Sequence, residues 1–284
     1  MRNLKGSDPF IRRVARRAAR RYVPGPRLED ALAARVAAER RGLATTFGYW
    51  DAGSDTPAEV ERRAAEALAA LTGRSGAELS LKLPALGLES QRVARLAAAA
   101  HGAGVALHCD SLEVGVQEAV LALAAGAGPP LGVTLPARWA RSAADAERAI
   151  AAGLRVRVVK GQFADARAGP APRREARARL MALVDLLAGR AAHVAVATHD
   201  APLAARAAEC LARAGTPFEL QVLYGLPARE VEAVARDAGV ALRLYVPYGS
   251  AYLPYALRSA WREPRMIARL GRDVLAPYRA ETLR

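Results

Sequence analysis

Arg243-Leu-Tyr-Val-Pro-Tyr-Gly-Ser-Ala-Tyr-Leu-Pro-Tyr-Ala-Leu-Arg258 holds the unit from which this chain is built. It opens as a strand, because Leu242, Leu244 and Val246 alternate with Arg243 and Tyr245. Pro247 and Gly249 are expected to stop that strand. A helix is expected from Leu253, with Pro254 in its first turn. Tyr255 and Arg258 share one face of it, and Tyr245 at the strand's end looks toward that face. Two tyrosines and an arginine around one mouth suit a small, partly apolar anion.

The same strand-then-helix order recurs upstream. Strands are expected at residues 43–50, 78–83, 105–110, 131–135, 154–160, 193–198, 218–223 and 241–246. Between them lie helices at 56–71, 90–101, 112–125, 142–152, 174–187, 201–214 and 228–238. Thr56 and Glu59 stand in capping-box register at the first of these. Eight βα units in 284 residues imply parallel pairing and a closed (βα)8 barrel, an α/β fold of the TIM type. An open doubly wound sheet is the alternative, but no Gly-x-Gly-x-x-Gly follows the first strand. Two helices come first, so residues 1–42 read as N-terminal helices, 43–264 as the barrel and 265–284 as a C-terminal tail.

Hydrophobic residues make up 52% of the chain, enough for one large core. No apolar run is long enough to span a membrane, and the N-terminus lacks an apolar signal core. Cys109 and Cys210 have no metal-ligand spacing and read as free thiols of a reducing cytoplasm. The net charge of +14 is concentrated in residues 1–27, with nine basic residues against Asp8. Ile11, Val14, Ala15, Ala18 and Tyr22 form one face of an amphipathic helix there, expected to dock on the domain with its arginines in solvent. Peripheral contact with an anionic membrane is the other use of such a helix. Nucleic acid is excluded, because no recognition module accompanies the charge and aromatics are only 5%.

In such a barrel the site lies at the C-terminal strand ends. The polar residues there are Lys82, His108, Asp110, Arg157, Lys160, Gly161, Thr198, His199, Asp200, Gln221 and Tyr245. Buried cations need partners or anionic ligands, and Asp110 is the natural partner of Lys82 or Arg258. The mouth reads as cation-rich and carboxylate-poor. It lacks the carboxylate pair of glycoside hydrolysis, a nucleophile elbow and a zinc ligand set, so no metal is expected.

Several short motifs resemble the proline dehydrogenase family. They are Tyr22-Val-Pro-Gly25, Ser80-Leu-Lys-Leu-Pro-Ala-Leu-Gly87, Arg157-Val-Val-Lys-Gly161, Ala197-Thr-His-Asp200, Phe218-Glu-Leu-Gln-Val-Leu-Tyr-Gly225 and Tyr245-Val-Pro-Tyr-Gly249 with Pro254-Tyr-Ala-Leu-Arg258. The resemblance implies a (βα)8 flavoenzyme that oxidises proline, with FAD as cofactor and a quinone or other electron acceptor. By it, Lys82, Asp110, Leu223, Tyr245, Tyr255 and Arg258 surround the substrate. Arg157 stands by the flavin, and Lys160, Gly161, Thr198, His199, Asp200, Gln221 and Leu223 bind the cofactor, His199 and Lys160 through phosphate or ribose.

The chain also departs from the family pattern. An adjacent arginine pair reads Arg258-Ser259, a glutamate is Arg262, a strand-four glutamine is Pro136, and a tyrosine is Phe163. The first strand, Thr45-Thr-Phe-Gly-Tyr-Trp-Asp51, departs as well. The substrate is therefore expected to be proline, in proline catabolism, or a proline-like cyclic amine. A non-proline amino acid of a biosynthetic pathway and a non-catalytic barrel are the alternatives.

Overall fold

The structure, a computed structural model, describes residues 24–51, 53, 55–111, 113–128, 131–161, 165 and 173–249. The expected helix at residues 11–22, the helix from Leu253 and the tail at 265–284 lie outside these, as do Phe163, Tyr255, Arg258, Ser259 and Arg262.

Eight parallel strands pair in chain order and close into a barrel. They are β1 (Ala44–Tyr49), β2 (Ala77–Lys82), β3 (Ala106–Asp110), β4 (Gly132–Pro136), β5 (Arg155–Val159), β6 (Val194–Ala197), β7 (Phe218–Leu223) and β8 (Leu242–Tyr248). Closure is made by β1 against β8, in register from Ala44↔Arg243 to Tyr49↔Tyr248. The expected (βα)8 barrel is the fold observed.

The helices are α1 (Leu28–Glu39), α2 (Pro57–Leu71), α3 (Ser90–Ala103), α4 (Gln117–Gly126), α5 (Ser142–Ala151), α6 (Arg173–Leu187), α7 (Ala201–Arg213) and α8 (Arg229–Asp237). Each carries one apolar stripe. In α2 it is Val60, Ala64, Ala67, Leu68 and Leu71; in α7 it is Leu203, Ala204, Ala207, Ala208 and Leu211. The capping box forms as read: the Glu59 amide donates to Thr56 Oγ1 at 3.3 Å, and the Thr56 amide donates to Glu59 Oε2 at 2.7 Å. Under the helices, the outward strand positions are aliphatic, among them Leu79, Leu107, Val133, Val156, Val196, Leu220 and Val246.

Pro247 does not stop β8, which runs on to Tyr248. The Tyr245 carbonyl accepts from the Tyr224 amide beyond the end of β7, and the Tyr248 carbonyl accepts from Trp50 on the β1 side. Position 247 therefore faces past the last β7 pairing, Leu223↔Tyr245, where no partner awaits an N–H. The strand ends at Gly249, whose φ of 105° suits glycine alone.

Most inward strand positions are polar or charged. They carry Thr46, Glu78, Ser80, Lys82, His108, Asp110, Arg157, Glu219, Gln221 and Arg243, all buried. Beneath them, Arg35 of α1 reaches the N-terminal end of the barrel. It donates to the Thr45 hydroxyl and, at 2.9 Å, to the Ser75 carbonyl.

Candidate active site

Three buried strand carboxylates, Glu78, Glu219 and Asp110, hold the interior together. In the lower layer Glu78 accepts from Arg157 Nη2 at 2.6 Å and from the Thr46 hydroxyl at 2.7 Å, and pairs with Arg155 at 3.3 Å. Beside it Glu219 accepts from Arg243 Nε at 2.7 Å and from Gln221 Nε2 at 2.7 Å. Gln221 Oε1 in turn accepts from Arg157 Nε at 2.7 Å. Burial opposes charge on Glu78, but Arg157 and Arg243 bring its carboxyl down to about 2.

In the upper layer Asp110 is the centre. Its Oδ2 accepts from Lys82 Nζ and from the Ser80 hydroxyl at 2.6 Å, and its Oδ1 accepts from the Thr134 hydroxyl at 2.5 Å. Burial would raise its pKa, yet Lys82 and Arg157 hold it far below the usual carboxylate range. Burial would strip Lys82 of its proton, but the adjacent Asp110 more than offsets this and raises its pKa. Lys82 Nζ also meets the Tyr245 hydroxyl at 2.8 Å and lies 5.3 Å from the Trp50 ring. The Arg157 guanidinium lies 5.5 Å from the Tyr245 ring. Tyr245 pairs in register with Thr46 and fits only because the next inward position of β1 is Gly48: a Cβ there would fall 2.0 Å from the Tyr245 oxygen.

A second cluster sits at the ends of β5 and β6. Asp200 is the N-cap of α7, accepting from the Leu203 amide at 3.4 Å, and it pairs with Arg177 Nε at 2.6 Å and Lys160 Nζ at 3.5 Å. Burial works against its charge, but Arg177 and Lys160 keep its pKa below the ordinary value. The Lys160 and Arg177 side chains are 41% and 54% exposed, so two cations face solvent around one carboxylate. Gly161 has φ 88°, and a Cβ on it would come within 2.9 Å of Pro136 and of Arg138. A strand end that only glycine can make, flanked by exposed cations, fits a diphosphate.

The expected residues thus divide in two groups. Lys82, Asp110, Arg157, Gln221 and Tyr245 converge inside the barrel mouth, while Lys160, Gly161 and Asp200 lie at the second cluster. Thr198 is buried and its hydroxyl accepts from the Asp200 amide at 3.1 Å. His199 lies beside this cluster, at the end of β6. Its Nδ1 donates to the Pro227 carbonyl at 3.0 Å and its Nε2 accepts from the Leu223 amide at 2.9 Å. Both ring nitrogens meet backbone groups, so the imidazole ties β7 to β6.

The barrel interior beneath the mouth is rich in carboxylates as well as cations. Glu78 and Glu219 stand one layer below the mouth and match Arg155, Arg157 and Arg243. The sequence signal for them is polar alternation at period two: Glu78-x-Ser80-x-Lys82, Arg155-x-Arg157, Glu219-x-Gln221 and Arg243-x-Tyr245. Arg177 carried no such signal, because it comes from a helix rather than a strand end. Among the described residues no cluster of three or more His, Cys, Asp or Glu is arranged to hold a metal, and no helix is long and apolar enough to cross a membrane.

The profile of the family described as proline dehydrogenase matches residues 175–260. Proline dehydrogenase 1 of Bacillus subtilis strain 168 is 27% identical over 274 residues, covering 90% of each chain. The family that this chain resembles is proline dehydrogenase. Solved structures agree on the fold. Proline utilization A of Bdellovibrio bacteriovorus, inactivated by N-propargylglycine, superposes with a TM-score of 0.75 at 17% identity, over 85% of this chain and 32% of that one. The Corynebacterium freiburgense protein of the same name gives 0.61 at 16% identity, over 96% of this chain and 35% of its own. The chain spans about a third of the length of these two proteins.

Proposed function

We propose that this protein is an FAD-dependent dehydrogenase that oxidises proline, or a proline-like cyclic secondary amine, to the cyclic imine. The observation that carries the reading is the set Lys82, Asp110, Arg157 and Tyr245, joined in one buried network at the C-terminal strand ends. The comparisons support the same chemistry at the level of the family.

In this reading the substrate loses a hydride from the carbon beside its nitrogen and a proton from the nitrogen. FAD, when bound, would supply the two-electron acceptor that the side chains lack, with a quinone or other compound as final acceptor. Lys160, Arg177 and the glycine turn at Gly161 hold its diphosphate, with Thr198 and Asp200 shaping the loop beneath. Arg157, with Gln221 and Leu223 beside it, supplies positive charge where the cofactor gains negative charge. Lys82, kept cationic by Asp110, receives the substrate carboxylate together with Arg258. Tyr245 and Tyr255 wall the ring and exclude water.

Pro136 at the end of β4 favours an altered substrate or a shifted ring, because it offers no side-chain amide. Ser259 and Arg262 point the same way, since one arginine of the expected pair is missing. Incubation of the FAD-loaded protein with proline and a soluble quinone tests the proposal. A product lighter by two hydrogens in the mass spectrum is expected. No such product from proline or from any ring amine would overturn it, and product only from other ring amines would select the altered substrate.

A further inference from the structure

His108 and Thr134 lie beside Asp110 Oδ1, the carboxylate oxygen that Lys82 does not bind. The Thr134 hydroxyl lies 2.5 Å from Asp110 Oδ1 and 2.8 Å from His108 Nε2. A hydroxyl has one proton to give. Asp110, an ionised carboxylate, can only accept, so the Thr134 proton goes to Asp110 and the Thr134 oxygen must accept from His108. That fixes the imidazole as the Nε2–H tautomer. Burial and the neighbouring Arg157 push its pKa down to about 3, so the ring is neutral at neutral pH.

The strand opposite is fitted to this ring. His108 pairs in register with Gly132, and a Cβ on Gly132 would lie 2.3 Å from His108 Nδ1. Gly132 is absent from the positive-φ glycines, so its backbone does not demand glycine but the imidazole does. In Gly132-Val-Thr134, β4 offers a gap beside the ring and a hydroxyl at its tip.

We infer that His108 and Thr134 are positioning residues: a relay from imidazole through hydroxyl to Asp110 Oδ1 orients this carboxylate, and through it the ammonium of Lys82. The inference rests on the proposed role of Lys82 and Asp110 in holding substrate. Among the described residues, no other hydrogen-bond donor stands close to Oδ1. Arg157 Nη1 is 3.7 Å away and His108 Nε2 is 3.8 Å away. Without the Thr134 hydroxyl the carboxylate keeps only its Oδ2 donors, Lys82 and Ser80, so its plane, and with it the direction in which it draws Lys82, is less fixed.

Thr134→Val keeps the shape and removes the hydroxyl, Thr134→Ser restores it, and His108→Leu removes only the donor behind it. The first readout is the 15N spectrum of histidine-labelled full-length protein, which needs neither flavin nor substrate. A protected Nε2–H at His108, lost in Thr134→Val, is expected; an Nδ1–H tautomer would overturn the relay. The second readout is calorimetric affinity of the FAD-loaded protein for a five-membered ring carboxylate with oxygen in place of nitrogen. Thr134→Val is expected to weaken it about tenfold or more, His108→Leu less, and Thr134→Ser by no more than about twofold. Equal affinity in Thr134→Val and wild type, or no recovery in Thr134→Ser, would overturn the positioning role whatever the melting temperatures do. If the wild type binds no ring carboxylate, the proposed part of Lys82 in holding a substrate carboxylate fails, and the histidine spectrum alone decides the relay.

Discussion

Any side chain at position 48 would meet the hydroxyl of Tyr245, since a Cβ there falls 2.0 Å from that oxygen. Tyr245 reaches across the mouth to Lys82 only through this opening. Gly48→Ala is therefore expected to push the phenol aside and break its bond to the ammonium. A hydrogen bond to a charged group is worth roughly 1.5–3 kcal/mol, so KM for the ring substrate should rise at least about tenfold. Overpacking should also lower stability by about 1–3 kcal/mol. Steady-state kinetics and thermal melting check both. An unchanged KM would mean that Tyr245 does not face the substrate.

Each strand divides its labour between its two faces. Outward residues such as Leu79, Val156 and Leu220 bury against helices, while inward ones build a charged lattice. Such a lattice is costly to desolvate, and aliphatic filling is the usual solution for barrels of this kind. Its stability depends on complete pairing. Glu78→Gln keeps size and shape but leaves Arg157 and Arg155 facing an uncharged amide. We expect a loss of about 3–5 kcal/mol in urea unfolding, together with weaker flavin binding, because Arg157 loses its anchor. A loss under about 1 kcal/mol would mean that water or another acid takes the place of Glu78.

The elements themselves were legible because helix and strand periods differ sharply here. Val60, Ala64, Ala67 and Leu71 repeat at helical spacing, while Leu242, Leu244 and Val246 repeat at two. The capping box at Thr56 fixed one boundary to the residue. Pro247 was misread because a missing N–H matters only where a partner strand waits, and that depends on register rather than on local sequence. At the site, Lys82, Asp110 and Arg157 were legible as charges at strand ends. Glu78 and Glu219 were not, because they sit at strand starts. Their role appears only when eight strands are laid side by side. The backbone contacts of His199 were not legible for a similar reason, since the groups it binds come from β7 and the loop after it.

Across the whole molecule, acid should act on this lattice in one direction. Glu78 and Asp110 have depressed pKa values, so the stability they contribute is full above the ordinary carboxylate range and is lost as pH falls toward their folded-state values. His108 is held neutral down to about 3, so below about pH 6.5 the unfolded chain binds a proton that the folded one refuses. At pH 5 this histidine alone should destabilise the fold by about 2 kcal/mol relative to neutral pH. His193 and His199 are shifted the same way, through burial. The melting temperature should therefore fall steadily from neutral pH toward about pH 4, and His108→Leu should flatten the upper part of that fall. A melting temperature independent of pH across this range would contradict the buried, paired state of these groups.

The visible spectrum of the purified protein, recorded with added FAD and then with proline in the absence of oxygen, addresses the assignment of the mouth most directly. A bound flavin spectrum that bleaches on adding proline, in wild type but not in an Arg157→Met variant that still binds FAD, is the expected result. A protein that stays colourless and takes up no FAD, or whose flavin no proline-like amine can bleach, would contradict the assignment.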